Sequence, residues 1–192
     1  METPTTPPLK LPSILVGGLL TGVLMFIAGV VIVLLQLAQA PSGGLVNPFQ
    51  LSSAAASCLL VLLSGFSAVW HFARSYENPS LRALEAVAMG IGAGFLAVLL
   101  SAALNWLWQT LDPNIPMRLK EHLIESVELN ERIPEEQKEQ IIAGIERQFA
   151  QQRRLSGLAQ SVFFAGIFGM IGGIFGALLG RAVLLKPAEP DA

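Results

Sequence analysis

Charge is what this chain has least of: only 14% of its 192 residues are Asp, Glu, Lys or Arg, and they are gathered in a few places. An ionisable side chain inside a membrane span costs at least about 2.5–3.5 kcal/mol and marks a functional site by default. The four long apolar stretches described below contain none at depth: Arg181 lies at the end of the last one, where its long stem reaches the interface. The net charge of -2 gives no basic surface for nucleic acid. The single cysteine, Cys58, excludes an intrachain disulfide and any cysteine-based metal spacing. Histidine is nearly as scarce, and His71 and His122 lie far apart with no second ligand at metal spacing. Ser64-Gly65-Phe66-Ser67 lacks the glycine–any–serine–any–glycine frame of a nucleophile elbow, and no Asp or His at span depth stands by to activate a serine. Catalytic, cofactor-binding and metal residues are therefore expected to be absent.

What the chain does have is apolar length. Hydrophobic residues make up 53% of it, and the mean hydropathy is +0.58, the composition of a membrane protein. Residues Met1 to Pro12, with four prolines, read as a disordered tail carrying Lys10 as an anchor charge. Ser13 to Leu35 then runs uncharged for 23 residues, enough to cross a hydrocarbon core of about 30 Å at 1.5 Å per residue. Ala38-Gln39-Ala40 has the form of a signal-peptidase site. The apolar region exceeds the usual 7–15 residues of a signal peptide, however, and Pro41 would follow the cut, so the segment is read as a retained span. A turn-rich connection over Ala40 to Gln50 leads to a second span at Leu51 to Trp70, whose serines read as packing residues. A loop of mixed charge, with His71, Arg74 and the Asn78-Pro79 turn signal, separates it from a third span at Ala86 to Trp108. Trp70, Trp106 and Trp108 all fall at span ends, where an indole keeps its ring in the acyl boundary and its N–H near water.

Glycine concentrates in the last span, Leu155 to Leu185. At helical spacing Gly172, Gly176 and Gly180 form one row, and Ala165, Gly169, Gly173 and Ala177 form a second beside it. In water each glycine would cost a helix about 1 kcal/mol relative to alanine. In lipid the segment must stay helical and its small residues become contact surface. Gly90 and Gly94, one turn apart in the third span, are the expected partner of the Gly172 row, so these five glycines are the helix-packing residues. Gly18 and Gly22 repeat that spacing in the first span, a recurrence read as chance. The polar residues nearest membrane depth, Gln36, Asn105, Gln109 and Gln160, read as interhelical glue.

Between the third and fourth spans lies the one sizeable polar segment, Gln109 to Arg154. Leu119, Leu123, Ile124 and Val127 make an apolar stripe on a helix opening near Pro116. Ile141, Ile142, Ile145 and Phe149 make another on a helix opening at Pro134, with Glu135 and Glu136 in its first turn. The expected architecture is all-α. It comprises a tail (1–12), transmembrane helices one to three (13–108), an extramembrane amphipathic helical hairpin (109–154), a glycine-rich fourth transmembrane helix (155–185) and a second tail (186–192).

Four spans put both termini on one side. Lys10, Arg74, Arg82, Arg181 and Lys186 lie on that side, against seven Lys/Arg in Gln109 to Arg154. Taken singly, the first span is flanked by a basic residue only before it and the second only after it, and both patterns place the termini in the cytoplasm.

Three spans, a charged pair of amphipathic helices with Pro-Glu-Glu-Gln at Pro134 to Gln137, and a glycine-rich last span ending in Gly180-Arg181-Ala182 resemble the bacterial membrane proteins grouped as domain of unknown function 4199. The resemblance covers Ser13 to Lys186 and implies a multi-pass inner-membrane protein. It brings no catalytic residue to carry over. One departure is that Gln151 to Gly157 reads as continuous helix, without a proline before the last span. The functional expectation is a non-enzymatic structural or interaction protein, without cofactor. Its partners are the lipid bilayer, a second copy or another membrane protein, and not nucleic acid. The alternative is a small transporter or channel subunit for a neutral solute.

Overall fold

A computed structural model describes residues 10–41, 48–76, 79–152 and 155–185, with the backbone alone for 48–54, 152 and 155–161. The order is α1 (Leu11–Ala38), α2 (Pro48–Ser75), α3 (Ala83–Leu111), α4 (Asn114–Glu128), α5 (Glu135–Gln152) and α6 (Leu155–Leu184). No strand occurs among the described residues. Four of the helices contain a stretch long and apolar enough to cross a membrane: Leu11–Ala38, Ala55–Ser75, Ala83–Leu111 and Val162–Leu184.

These helices run past the apolar stretches that nucleate them. α2 continues through His71 and Arg74 to Ser75, so both residues stand on its last turns and not in a loop. A helix of 28 residues is about 42 Å long, more than the hydrocarbon thickness, and its polar last turn needs no lipid. α4 opens at Asn114, two residues before Pro116, because proline in a first turn forfeits no hydrogen bond. α5 opens one residue after Pro134, whose carbonyl accepts from the N–H groups of Gln137 and Lys138. α1 already includes Leu11 and Pro12, which the sequence reading put in the tail, because proline in a first turn forfeits no hydrogen bond. The expected turns at residues 42–47 and 77–78, residues 1–9 and 186–192 of the tails, and the continuity of helix across 153–154 lie outside the described residues.

α1 and α6 each pack against both α2 and α3, which also touch each other. The core sits at one end of this four-helix arrangement. Ala68, Val69 and Phe72 of α2, Ala86, Met89 and Ala93 of α3, and Ala177 of α6 form it, with Leu81 and Leu185 closing the end. On α1 only Ser13, Gly17, Gly18, Thr21 and Gly22 are buried, so beyond Gly22 the helix leaves the tight part of the bundle. Only 17–33% of the most apolar stretch of each long helix is buried inside the protein. α4 and α5 pack on each other at the opposite end, α4 reaching α1 and α5 reaching α6.

Candidate functional site

Backbones approach closely where α6 meets α2 and α3. A Cβ added at Gly94 would overlap the carbonyl oxygen of Gly169, one at Gly90 that of Gly173, and one at Gly65 of α2 that of Gly173 again. Gly173 is thus the point at which three backbones converge. Cα–H···O contacts of about 0.5–1 kcal/mol each belong to such approaches.

Gly172, Gly176 and Gly180 do not pair with the Gly90–Gly94 face as the sequence reading expected. They face α2: Gly172 lies against Val61, Gly176 against the backbone of Leu62 and Phe66, and Gly180 against Phe66 and Val69. The row that meets Gly90 and Gly94 is the neighbouring one, at Gly169 and Gly173, with Ala177 wholly buried beside it. Rows one residue apart point about 100° apart around a helix, which is the angular separation needed to meet two neighbours at once. Gly18 and Gly22 face Leu96, Ala97 and Leu100 of α3, and Gly17 faces Ser64 and Ala68 of α2.

Side chains far apart in sequence fasten the core end. Lys10 pairs with Glu85, joining the entrance of α1 to that of α3. The Glu85 carboxylate also accepts from the Arg82 N–H at 2.9 Å. The Ser13 hydroxyl lies 3.1 Å from Nδ1 of His71, and Nε of Arg181 donates to the Leu81 carbonyl at 2.7 Å. The serine–histidine pair escaped the sequence reading, which placed His71 in a loop. Ser13 is 1% exposed, so its hydroxyl ties two helices inside the packed end. Ser64 and Ser67 bond back to Val61 and Leu63 of their own helix, both at 2.7 Å.

At the opposite end, Nε2 of His122 on α4 donates to the Gln36 carbonyl in the last turn of α1 at 2.6 Å. The last four carbonyls of a helix have no partner within it, so His122 both caps α1 and holds α4 beneath it. Asn105 and Gln109 are exposed. The Trp108 ring meets Phe26 edge-on at a centroid distance of 6.4 Å, while back at the core end Arg74 stacks over Trp70 at 4.4 Å. Between these two ends, where α1 diverges, a groove of about 300 Å³ opens between α1 and α2 with α3 at its side, lined among others by Met25, Gly29 and Ile32 of α1, Ser57 and Leu60 of α2 and Ser101 of α3. Among the described residues, no three His, Cys, Asp or Glu stand close enough together to hold a metal ion.

Fold and contacts together define an all-helical protein with four candidate membrane spans and small-residue contacts between them. A family model described as a protein of unknown function, DUF4199, matches residues 17–181, and the chain belongs to that family. No curated protein and no solved structure matches it.

Proposed function

We propose that the protein is a non-enzymatic, multi-pass component of the bacterial inner membrane with cytoplasmic termini, whose α4–α5 segment is an amphipathic hairpin offering a docking surface outside the lipid. The observation that carries this reading is the incomplete cover of that segment's apolar side. Ile141 is 40% exposed and Leu119, Leu123, Val127, Ile142 and Ile145 are only partly covered, although α4 is fixed to α1 through His122. Helices of 15 and 18 residues gain most of their stability from covering an apolar face, so a partner surface completes what the chain leaves open. The membrane part of the reading draws support from the outer faces of the four long helices. Residues such as Leu59, Phe168 and Phe175 are more than 60% exposed, a continuous apolar surface of a kind that water-soluble monomers rarely show.

The test places a photo-crosslinking amino acid at Ile141, and separately at Glu139 on the polar side, in intact cells. A discrete crosslinked species from position 141 and none from 139 is expected, its mass distinguishing a second copy from another membrane protein. Equal, diffuse labelling from both positions would leave the hairpin without a docking face. A neutral-solute pore is the second reading, favoured by the uncharged groove with its Ser57 and Ser101 hydroxyls. It requires solute leak from liposomes containing the purified protein.

A further inference from the structure

The groove between α1 and α2 suggests a ligand site, and the inference rests on the membrane reading above. We infer that it holds one acyl chain of a bilayer phospholipid. Three observations converge on that occupant. First, among the described residues none that lines it is ionisable, and their side-chain hydroxyls are those of Ser57 and Ser101; such a lining suits hydrocarbon and offers nothing to a charged headgroup or an acidic or basic peptide. Second, the walls are held apart. Near the core end a Cβ on Gly17 would stand 2.7 Å from the Ser64 carbonyl oxygen and one on Gly22 2.9 Å from that of Ala97, whereas one on Gly29 would meet nothing within 4 Å. Third, the groove is continuous with the apolar outer surface. Ile27 and Val31 of α1 and Leu59 of α2, beside the lining residues in sequence, are 50%, 47% and 67% exposed.

Size decides between a chain and a helix. From Met25 to Val33 the groove follows α1 for about 12 Å, and its volume is about 300 Å³, the lower end of the range for single small ligands. A helix is about 10–12 Å across with its side chains and packs along a longer face, whereas an extended polymethylene chain fits lengthwise. A groove with so few polar groups does not hold ordered water, and an empty one would forfeit dispersion contacts along both walls. Hydrocarbon entering from the side restores them.

The experiment uses the full chain, purified in mild detergent from phosphatidylethanolamine and phosphatidylglycerol nanodiscs, with retained lipid counted by native mass spectrometry. Wild type should keep a single phospholipid. Gly29→Leu, whose Cβ would meet no atom within 4 Å and whose longer side chain would occupy the groove, should lower the retained fraction by about five-fold or more. Ile27→Leu, on the outward side, should keep the lipid. Loss of lipid from wild type itself, or equal retention by Gly29→Leu, would refute the site. So would efficient disulfide formation in the bilayer between cysteines placed at Gly29 and Ser57 in a Cys58→Ser background, because the helices would then close on each other with nothing between them. Alkaline carbonate extraction of membranes tests the underlying reading separately. A chain that stays in the pellet but binds no lipid refutes only the groove, while a chain released to the supernatant removes the membrane reading and the proposal with it.

Discussion

A methyl group added at Gly176 would overlap the carbonyl oxygen of Leu62, a backbone atom that no rotamer change can move. One added at Gly180 would stand 3.2 Å from Cβ of Val69, an approach that a shift of a few tenths of an ångström would relax. Helix propensity favours replacing either glycine by about 1 kcal/mol. Overpacking costs about 1–3 kcal/mol, and more where backbone must shift. Gly176→Leu is therefore expected to melt below wild type in detergent, whereas Gly180→Ala should melt at or slightly above it. A Gly176→Leu protein as stable as wild type would mean that α6 does not approach α2 along this row. Coupling gives a second check on the same contacts. Gly94 and Gly169 face each other, so once one alanine has eased α6 from α3 the second costs less. The double mutant should lose less than the sum by about 0.5 kcal/mol or more. Gly94→Ala with Gly180→Ala should be additive, since Gly169 and Gly180 lie about 16 Å apart along α6.

Helices as elements were more legible than the contacts between them. Unbroken apolar length and the proline and glycine punctuation located the long helices to within a few residues, and the glycine rows marked α6 as a surface that neighbours approach closely. Which neighbour meets which row was not legible, because helical spacing reveals a face and says nothing of who covers it. The Gly172 row was assigned to α3 and meets α2. Gly65, the α2 residue at the convergence, was weighed only against a nucleophile-elbow frame and not as a packing residue. The pairs Lys10–Glu85, Ser13–His71 and His122–Gln36 join residues 75, 58 and 86 positions apart, and no local pattern encodes them. The groove was illegible for the same reason, being a consequence of where α1 parts from α2.

The same element-level contacts rank the stabilities of α4 and α5. α4 has Ile115 buried and His122 bonded to α1, while much of α5 is exposed. Hydrogen exchange in nanodiscs should accordingly show stronger protection at Leu119–Val127 than at Ile141–Phe149. A Cβ at Gly144 would have no neighbour within 4 Å, so Gly144→Ala should raise α5 protection by up to about 1 kcal/mol. Equal, complete exchange of both stretches within seconds would show that neither helix persists.

For the whole molecule the unresolved sign is which end faces the cytoplasm. The core end carries Lys10, Arg74, Arg82 and Arg181 among the described residues, and the α4–α5 end carries Arg118, Lys120, Arg132, Lys138 and Arg147. A simple count does not favour the proposed orientation, but the rule acts through basic residues close to a span end. Arg74 and Arg181 sit in the last turns of α2 and α6, and Lys10 immediately precedes α1. α3 and α6 have basic residues toward both of their ends, whereas α1 has Lys10 before it and none directly after, and α2 has none before it and Arg74 and Arg82 at its far end. The first two spans thus decide, and the expected topology has the core end in the cytoplasm. Cysteines at Glu131 and Ser80, both exposed, in a Cys58→Ser background test it with a membrane-impermeant thiol reagent. In intact cells stripped of the outer barrier, position 131 should react and position 80 only after the inner membrane is opened. The reverse pattern would invert the molecule and place the docking surface of α4–α5 before cytoplasmic partners, with the Lys10–Glu85 end outside.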